Sequence, residues 1–256
     1  MRLRMALAAL LTMLATLSFV GSATATATPA PRPESFSPAT TGTGSFFAIN
    51  GANQLVKWTR NATTYTSQLI GPGWGDSRLI AGLGTSQLIQ IRYDGTLWDW
   101  KYNVTAGQWY GYYVSADWDN IAQLGGLGYN RFLVKTTAGV LREYVSAQDD
   151  HVYSLAVWTG ASYGNQSLVT GLSASSFFGI DKDTGIANHY AWSGGVATGT
   201  YVGTGWGTVS KIAGIDATRF VTVRSTDNRL VEWNNSAGTW TSVVFGPGWD
   251  DAKLIG

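Results

Sequence analysis

Five short stretches of the chain carry an aromatic residue two positions before a small polar residue. The pairs are Trp74 and Asp76, Trp118 and Asn120, Tyr163 and Asn165, Trp206 and Thr208, and Trp249 and Asp251. An aromatic ring offers a flat apolar partner to the C–H face of a sugar, and the polar side chain can hydrogen-bond the hydroxyl rim. The pattern predicts carbohydrate contacts. A repeated aromatic residue can also pack between structural units, and the polar residue can cap a turn.

The five aromatic residues recur at intervals of 44, 45, 43 and 43 residues, which indicates an internal repeat. A second set runs in phase with them and consists of Trp58, Trp100, Tyr144, Tyr190 and Trp233. Because the second set lies within apolar runs, we expect it in the core. A third set lies nine residues before the first: Tyr65, Trp109 and Trp240, with Ser154 and Ala197 in the two remaining copies.

Each repeat contains four short runs with strand character. In the second repeat these runs are "RLIAGLG", "SQLIQIRY", "TLWDWKYN" and "GQWYGYYVS". Val, Ile, Tyr and Trp dominate the runs, Asp94-Gly95 is a two-residue hairpin signal, and no stretch shows a sustained helical period. Four short antiparallel strands in a repeat of this length predict one blade of a β-propeller.

The two ends of the repeat region complement each other. The first unit begins near Ser45 with a second-strand run, "SFFAIN", whereas the chain ends on an innermost-strand run, "AKLIG". We therefore predict an all-β, five-bladed β-propeller with four antiparallel strands per blade. The C-terminal strand closes the ring by pairing with the N-terminal strands of the first blade, which covers two exposed sheet edges. The chain has no Cys, so packing alone must hold this ring.

The first 27 residues have the pattern of a signal peptide, with a basic start, an apolar run and small residues at a cleavage site. An uncleaved membrane anchor is the alternative. Residues 28–44 read as a flexible Pro/Thr/Ser lead-in and 45–256 as the propeller domain, so we expect a secreted, extracellular monomer. Without Arg2 and Arg4 the count is 15 basic against 16 acidic residues, a net charge of about −1. That balance argues against nucleic acid and anionic membrane as partners, because both favour a basic patch. We expect no membrane insertion, because small residues and Pro follow the apolar run and no other long apolar run exists.

The recurring pattern G-x-G-W-x-x-x-x-L-I, followed by a D-G hairpin and L-x-x-W, resembles the tachylectin-2-like proteins. This resemblance covers Ser45 to Gly256 and implies a five-bladed lectin for N-acetylated hexosamines such as GlcNAc or GalNAc. It also implies similar shallow sites between neighbouring blades, formed here by the five aromatic and five polar residues given above. The third copy departs from the pattern with Tyr163, and the fourth departs with "IANHY" in place of L-x-x-W.

Two other classes stay open. A glycoside hydrolase needs two carboxylates facing each other across the sugar, but the innermost strands offer only Asp216 near an end. We therefore expect no enzyme. A protein-binding propeller would have much the same sequence.

No cofactor or metal is expected. His151 and His189 stand in unlike contexts, and Asp181–Gly185 resembles the start of a calcium loop only once, at a hairpin position. The sequence thus predicts a multivalent carbohydrate-binding protein, with five weak and equivalent sites that give avidity for a glycan surface.

Overall fold

The computed structural model describes residues 44–147, 150–193 and 196–256. The predicted signal peptide, 1–27, and the lead-in up to residue 43 lie outside the described residues. Within the described part, the chain is almost entirely β-strand, with one short 3₁₀ turn at Trp206–Thr208. No helix in that part is long and apolar enough to span a bilayer.

The strands form five antiparallel sheets of four strands each, and each sheet is one blade. From the axis outward, blade 1 contains β20 (Leu254–Ile255), β1 (Ser45–Ile49), β2 (Leu55–Asn61) and β3 (Thr64–Gly71). Blade 2 contains β4 (Ser77–Gly82), β5 (Gln87–Arg92), β6 (Leu97–Asn103) and β7 (Gln108–Ser115). Blade 3 contains β8 (Ile121–Gly128), β9 (Arg131–Thr136), β10 (Val140–Val145) and β11 (Ser154–Ser162). Blade 4 contains β12 (Leu168–Ser173), β13 (Ser176–Asp181), β14 (Ile186–Ser193) and β15 (Val196–Gly203). Blade 5 contains β16 (Val209–Asp216), β17 (Arg219–Arg224), β18 (Leu230–Ser236) and β19 (Thr239–Phe245).

The position of a strand in its blade explains its composition. The second strands have neighbouring blades on both faces, so they are rich in apolar residues and buried along most of their length, as in β1 and β5. The outermost strands face solvent and are exposed along most of their length, as in β3. The hairpin signal in blade 2 forms the predicted turn: Gly95 has φ 74°, and Asp94 Oδ1 accepts the Thr96 backbone N–H at 3.0 Å.

The ring closes through the C-terminal strand. In β20, Leu254 pairs with Ile49 and Ile255 with Ala48. The backbone N–H of Phe47 donates to the Gly256 carbonyl at 2.7 Å, and the Gly256 N–H donates to the Phe47 carbonyl at 2.9 Å. The innermost strands then contact one another in a closed cycle. These contacts confirm the predicted five-bladed propeller and its closure.

The core lies between the blades rather than at the centre of one sheet. Five apolar clusters each combine residues of two adjacent blades. In the cluster between blades 5 and 1, Val221 and Val223 of β17 meet Phe46 of β1 and Ile255 of β20. Packing of each blade against the next therefore holds the ring together in the absence of disulfides.

Glycines bring the innermost strands into direct contact at the axis. A Cβ atom at Gly126, Gly171 or Gly214 would overlap the carbonyl oxygen of the glycine on the preceding strand, and one at Gly256 would overlap the Ile80 carbonyl. The strands consequently meet main chain to main chain, with no room for a side chain between them.

Candidate ligand-binding clefts between the blades

A hydrogen bond from each loop aromatic residue holds its loop to the blade that precedes it. The backbone N–H of the aromatic residue donates to a carbonyl in the hairpin between the second and third strands of that blade. The five pairs are Trp74 to Asn53 at 3.0 Å, Trp118 to Gly95 at 3.0 Å, Tyr163 to Gly139 at 2.7 Å, Trp206 to Gly185 at 3.0 Å, and Trp249 to Asn228 at 3.2 Å. This repeated bond explains why the loops share one spacing, because each loop must return to the same point of its hairpin.

The side chains of the loop aromatic residues turn toward the blade that follows. All five are buried, with 5% to 8% of their surface exposed. Each ring contacts the second-set aromatic residue of the next blade. The centroid distances are 4.7 Å for Trp74 and Trp100, 4.9 Å for Trp118 and Tyr144, 5.5 Å for Tyr163 and Tyr190, 4.1 Å for Trp206 and Trp233, and 4.8 Å for Trp249 and Trp58. The faces of the loop rings are therefore largely covered, and a ligand reaches mainly their edges.

The second-set aromatic residues are less buried than the loop residues. Trp58, Trp100, Tyr144, Tyr190 and Trp233 are all half-buried. The sequence places this set in the core, and its members do pack there, but Trp58 and Trp100 also line clefts that open to solvent. Each cleft is thus built from one ring of each set.

The five polar loop residues are all exposed: Asp76, Asn120, Asn165, Thr208 and Asp251. The carboxylate of Asp76 is ion-paired with Arg92, at 3.1 Å between Oδ2 and Nε. In the described part of the chain, no group pairs with the side chains of the other four. The polar position therefore keeps its hydrogen-bonding capacity in four of the five loops.

A cleft of considerable size lies at the point of ring closure, and we call it the ring-closing cleft. Its volume is about 640 Å³, and its walls include Trp58, Tyr65, Phe245, Trp249 and Asp251. The Tyr65 and Phe245 rings meet edge to face at 5.0 Å. Three aromatic types and one carboxylate thus surround a single opening, as in sites that bind polar ligands with an apolar face.

A buried acid orients the Tyr65 ring in this wall. Glu232 of blade 5 accepts a short hydrogen bond from the Tyr65 hydroxyl and a bond from Arg60 Nε at 2.9 Å. Burial, together with the Glu232 carboxylate, raises the pKa of Tyr65 well above its usual value. Tyr65 therefore stays a neutral phenol, fixed across the boundary between blades 5 and 1.

Two indole N–H groups at the ring-closing cleft have no acceptor among the described residues. They are Nε1–H of Trp58 and Nε1–H of Trp249; neither nitrogen is a fully buried, unpaired atom, and both residues line the cleft. Gly246, three residues before Trp249, and Ala48, beside Trp58, carry no side-chain acceptor for these protons. Two donors and the Asp251 carboxylate are accordingly available to a ligand in one cleft.

The corresponding opening between blades 1 and 2, the second cleft, is smaller and partly filled. Its volume is about 350 Å³, and it contains Trp74 and Trp100. The Trp100 indole donates to Gln90 Oε1 at 2.9 Å, and Arg92 lies between the Asp76 carboxylate and the Trp98 ring. The Trp100 indole and the Asp76 carboxylate thus already have protein partners, unlike the Trp58 indole and the Asp251 carboxylate of the ring-closing cleft.

Three positions that matter to these clefts escape the repeat pattern. One position lies three residues before the loop aromatic residue, where Ser115 accepts the Trp118 indole proton. Another lies in the second strand, two residues after the start of its apolar pair, where Gln90 accepts the Trp100 indole proton. In blade 3, Tyr153 packs against Phe132 at 5.0 Å and fills the place for which alignment offers Ser154. When the second strands are aligned on Phe46-Phe47 and Leu88-Ile89, Ala48 and Gln90 fall at the same position, and only Gln90 has a side-chain acceptor.

The calcium-like stretch forms a turn. Asp181 Oδ1 accepts the backbone N–H groups of Asp183 at 3.0 Å and Thr184 at 3.2 Å. Hydrogen bonds from Thr184, with that of Asp183, lower the pKa of Asp181. Across the residues that the structure describes, no group of three or more His, Asp or Glu side chains is arranged to hold a metal ion.

Comparison with known proteins gives a fold likeness only. No family model matches the chain, and no curated protein matches it. Prp20p from Saccharomyces cerevisiae, whose structure was described with its binding to Gsp1p and histones, is 11% identical with a TM-score of 0.43. That match covers 77% of this chain and 56% of Prp20p, so the chain spans about half of its length. A chain in the crystal structure of a nidogen–laminin complex is 10% identical with a TM-score of 0.48, over 84% of this chain and 97% of that one.

These similarities are too distant to transfer a function. The resemblance to the tachylectin-2-like proteins is not confirmed by a family match. What the five sheets establish is the architecture: the chain folds as a five-bladed β-propeller.

Proposed function

We propose that the protein binds carbohydrate at the clefts between its blades, with N-acetylated hexosamines as the ligand class. One observation carries the proposal: the ring-closing cleft combines two unengaged indole N–H donors with an exposed carboxylate between aromatic walls. The observation concerns Trp58, Trp249 and Asp251.

An acetamido group fits this set of atoms. Its carbonyl oxygen accepts a hydrogen bond from an indole N–H, its own N–H donates to a carboxylate, and its methyl group packs on an aromatic ring. A carboxylate at the rim disfavours anionic sugars, because like charges repel where water is partly excluded. The cleft is therefore better suited to a neutral amino sugar than to a sialylated or sulfated one.

Binding without catalysis is part of the proposal. Asp251 is the only acid among the described residues that line the ring-closing cleft, whereas glycoside hydrolysis uses a pair of carboxylates. The proposal also includes secretion, which the residue pattern of 1–27 supports, and a monomeric ring, which is the simplest arrangement for a closed propeller.

Calorimetric titration with methyl N-acetyl-β-glucosaminide tests the proposal, with methyl β-glucoside as the ligand that lacks the acetamido group. We expect millimolar or tighter binding of the first and at least tenfold weaker binding of the second. Asp251→Ala should weaken binding about tenfold. Asp250→Ala is the matched control, because Asp250 is exposed, carries the same charge and does not line the cleft.

Failure of a folded protein to bind any N-acetylhexosamine at millimolar concentration would overturn the proposal. Two further experiments would then distinguish an enzyme from a protein-binding propeller. Release of a chromophore from aryl glycosides would identify an enzyme. Binding of a protein partner that persists in the Asp251→Ala variant would identify a protein-binding propeller.

A further inference from the structure

We infer that the five clefts are not equivalent and that the ring-closing cleft is the single strong sugar site of the ring. The inference rests on the proposed function and deepens it. Residue 48 is the position that decides: its small side chain leaves the Trp58 indole free, whereas its counterparts in blades 2 and 5 accept the corresponding indole proton.

The register of the sheets defines these counterparts. Each second-set aromatic residue pairs with an apolar residue of the second strand, as Trp58 pairs with Phe46 and Trp100 with Leu88. The residue two positions further along lies on the same face of the strand. In the five blades this residue is Ala48, Gln90, Val134, Gly179 and Thr222.

Two of these residues accept the indole proton. Gln90 Oε1 accepts from Trp100 at 2.9 Å, and Thr222 Oγ1 accepts from Trp233 at 3.1 Å. Ala48 has no acceptor atom, so the Trp58 proton is left to the cleft. In blades 3 and 4 the second-set residue is a tyrosine, which has no indole N–H to offer.

A second position governs the loop indole in the same manner. Ser115, three residues before Trp118, accepts the Trp118 indole proton at 2.8 Å. Glycine occupies this place before Trp74, Trp206 and Trp249. Only the ring-closing cleft therefore leaves both indole protons without an acceptor in the part of the chain that the structure describes.

The second cleft and the ring-closing cleft also differ in size and charge. Gln90 and Arg92 extend into the second cleft, and Arg92 neutralises Asp76 there. At the ring-closing cleft the corresponding residues are Ala48 and Asn50, and Asp251 has no cationic partner among the described residues. A sugar in the second cleft would have to displace existing protein contacts, whereas one in the ring-closing cleft would replace only water.

Each engaged indole removes one hydrogen bond from the ligand, which is worth about a tenfold change in affinity. Calorimetry with methyl N-acetyl-β-glucosaminide should accordingly give one site per chain. Ala48→Gln should weaken that site tenfold or more. Gln90→Ala frees the Trp100 indole and opens space beside it, so it should add a second, weaker site.

Indole N–H resonances provide a measurement on the unaltered protein, which is needed should Ala48→Gln fail to fold. In a ¹⁵N-labelled sample, Trp58→Phe and Trp249→Phe assign the two cleft signals by their disappearance. On titration with the methyl glycoside these two signals should shift, and those of Trp100 and Trp233 should not.

The outcomes separate this inference from the proposed function. One site per chain with shifts confined to Trp58 and Trp249 supports both. Five sites of similar affinity, or equal shifts at Trp100 and Trp233, would overturn the inference and leave sugar binding intact. No binding at all would remove the proposed function and this inference with it.

Discussion

Trp58 and Trp249 contact each other with ring centroids 4.8 Å apart, although they come from opposite ends of the described chain. Trp58 lies on β2 of blade 1, and Trp249 lies in the loop that leads from blade 5 to the closing strand. The contact therefore forms part of the ring closure and part of the ring-closing cleft. A ligand held between these residues binds the closed ring in preference to the unfolded chain, and so stabilises the fold.

Replacing Trp249 with alanine should destabilise the protein as well as remove a ligand contact. The side chain is 8% exposed and packs on Phe46 and Trp58, so its truncation should cost about 3–5 kcal/mol. Differential scanning calorimetry should show Tm lower by about 6–20 °C. Tyr93→Ala, at a ring that is 68% exposed, is the control and should leave Tm nearly unchanged. A loss below about 1 kcal/mol for Trp249→Ala would mean that the ring does not hold the blades together.

The ion pair between Arg60 and Glu232 should contribute to closure because it links blade 1 to blade 5. Glu232 is 2% exposed, so Arg60→Ala leaves an uncompensated buried carboxylate and should cost about 3–5 kcal/mol. Urea denaturation of Arg60→Ala, Glu232→Gln and the double variant measures the coupling. We expect the double variant to be more stable than Arg60→Ala alone; strict additivity would contradict a direct interaction.

The glycines at the axis should not tolerate a methyl group. In Gly214→Ala the new Cβ would overlap the Gly171 carbonyl, which lies on the backbone and cannot move aside, so we expect a loss of about 1–3 kcal/mol or failure to fold. Gly71→Ala is the matched control, since a Cβ there meets no atom within 4 Å and its φ is not positive. Expression yield and the urea midpoint report the difference. Equal stability of the two variants would show that the axis is not closely packed.

His189 should make the stability depend on pH. Burial lowers the pKa of His189 below its usual value, and Nε2 is buried without a hydrogen-bond partner in the described structure. As pH falls below about 6.5, the unfolded chain takes up the proton before the folded one, so stability is full above that pH and declines below it. Tm recorded between about pH 8 and 5 should fall on acidification in the wild type and fall less in His189→Leu. Parallel curves for the two proteins would contradict a buried neutral imidazole.

The fold follows from the sequence because aromatic residues and hairpin glycines recur at nearly constant intervals, and closure follows from the order of strand types at the two ends. The burial of individual rings does not follow. Trp58 and Trp249 are the same residue type, and only the neighbouring blade determines that the loop ring is covered while the strand ring is half-exposed.

Alignment also fails where one connection is longer than the rest. In blade 3 the chain takes residues 146–153 to pass from β10 to β11, whereas Asn61 and Thr64 in blade 1 are separated by two residues. Tyr153 packs against the interblade cluster from this connection, one position before the residue that the repeat indicates. The polar contacts of Gln90 and Thr222 are equally hidden, because a glutamine or threonine in an apolar strand gives no sign of which indole it meets.

The glycine contacts at the axis have a consequence for how such a ring can change over evolutionary time. The innermost strands touch main chain to main chain at the axis, so a side chain exchanged in one cleft lies away from these contacts. Duplicated blades can therefore diverge one at a time, so that one cleft stays open while others are filled by glutamine, threonine or arginine side chains. The number of blades and the number of ligand sites are then separate properties, and a ring of five blades need not have five binding sites.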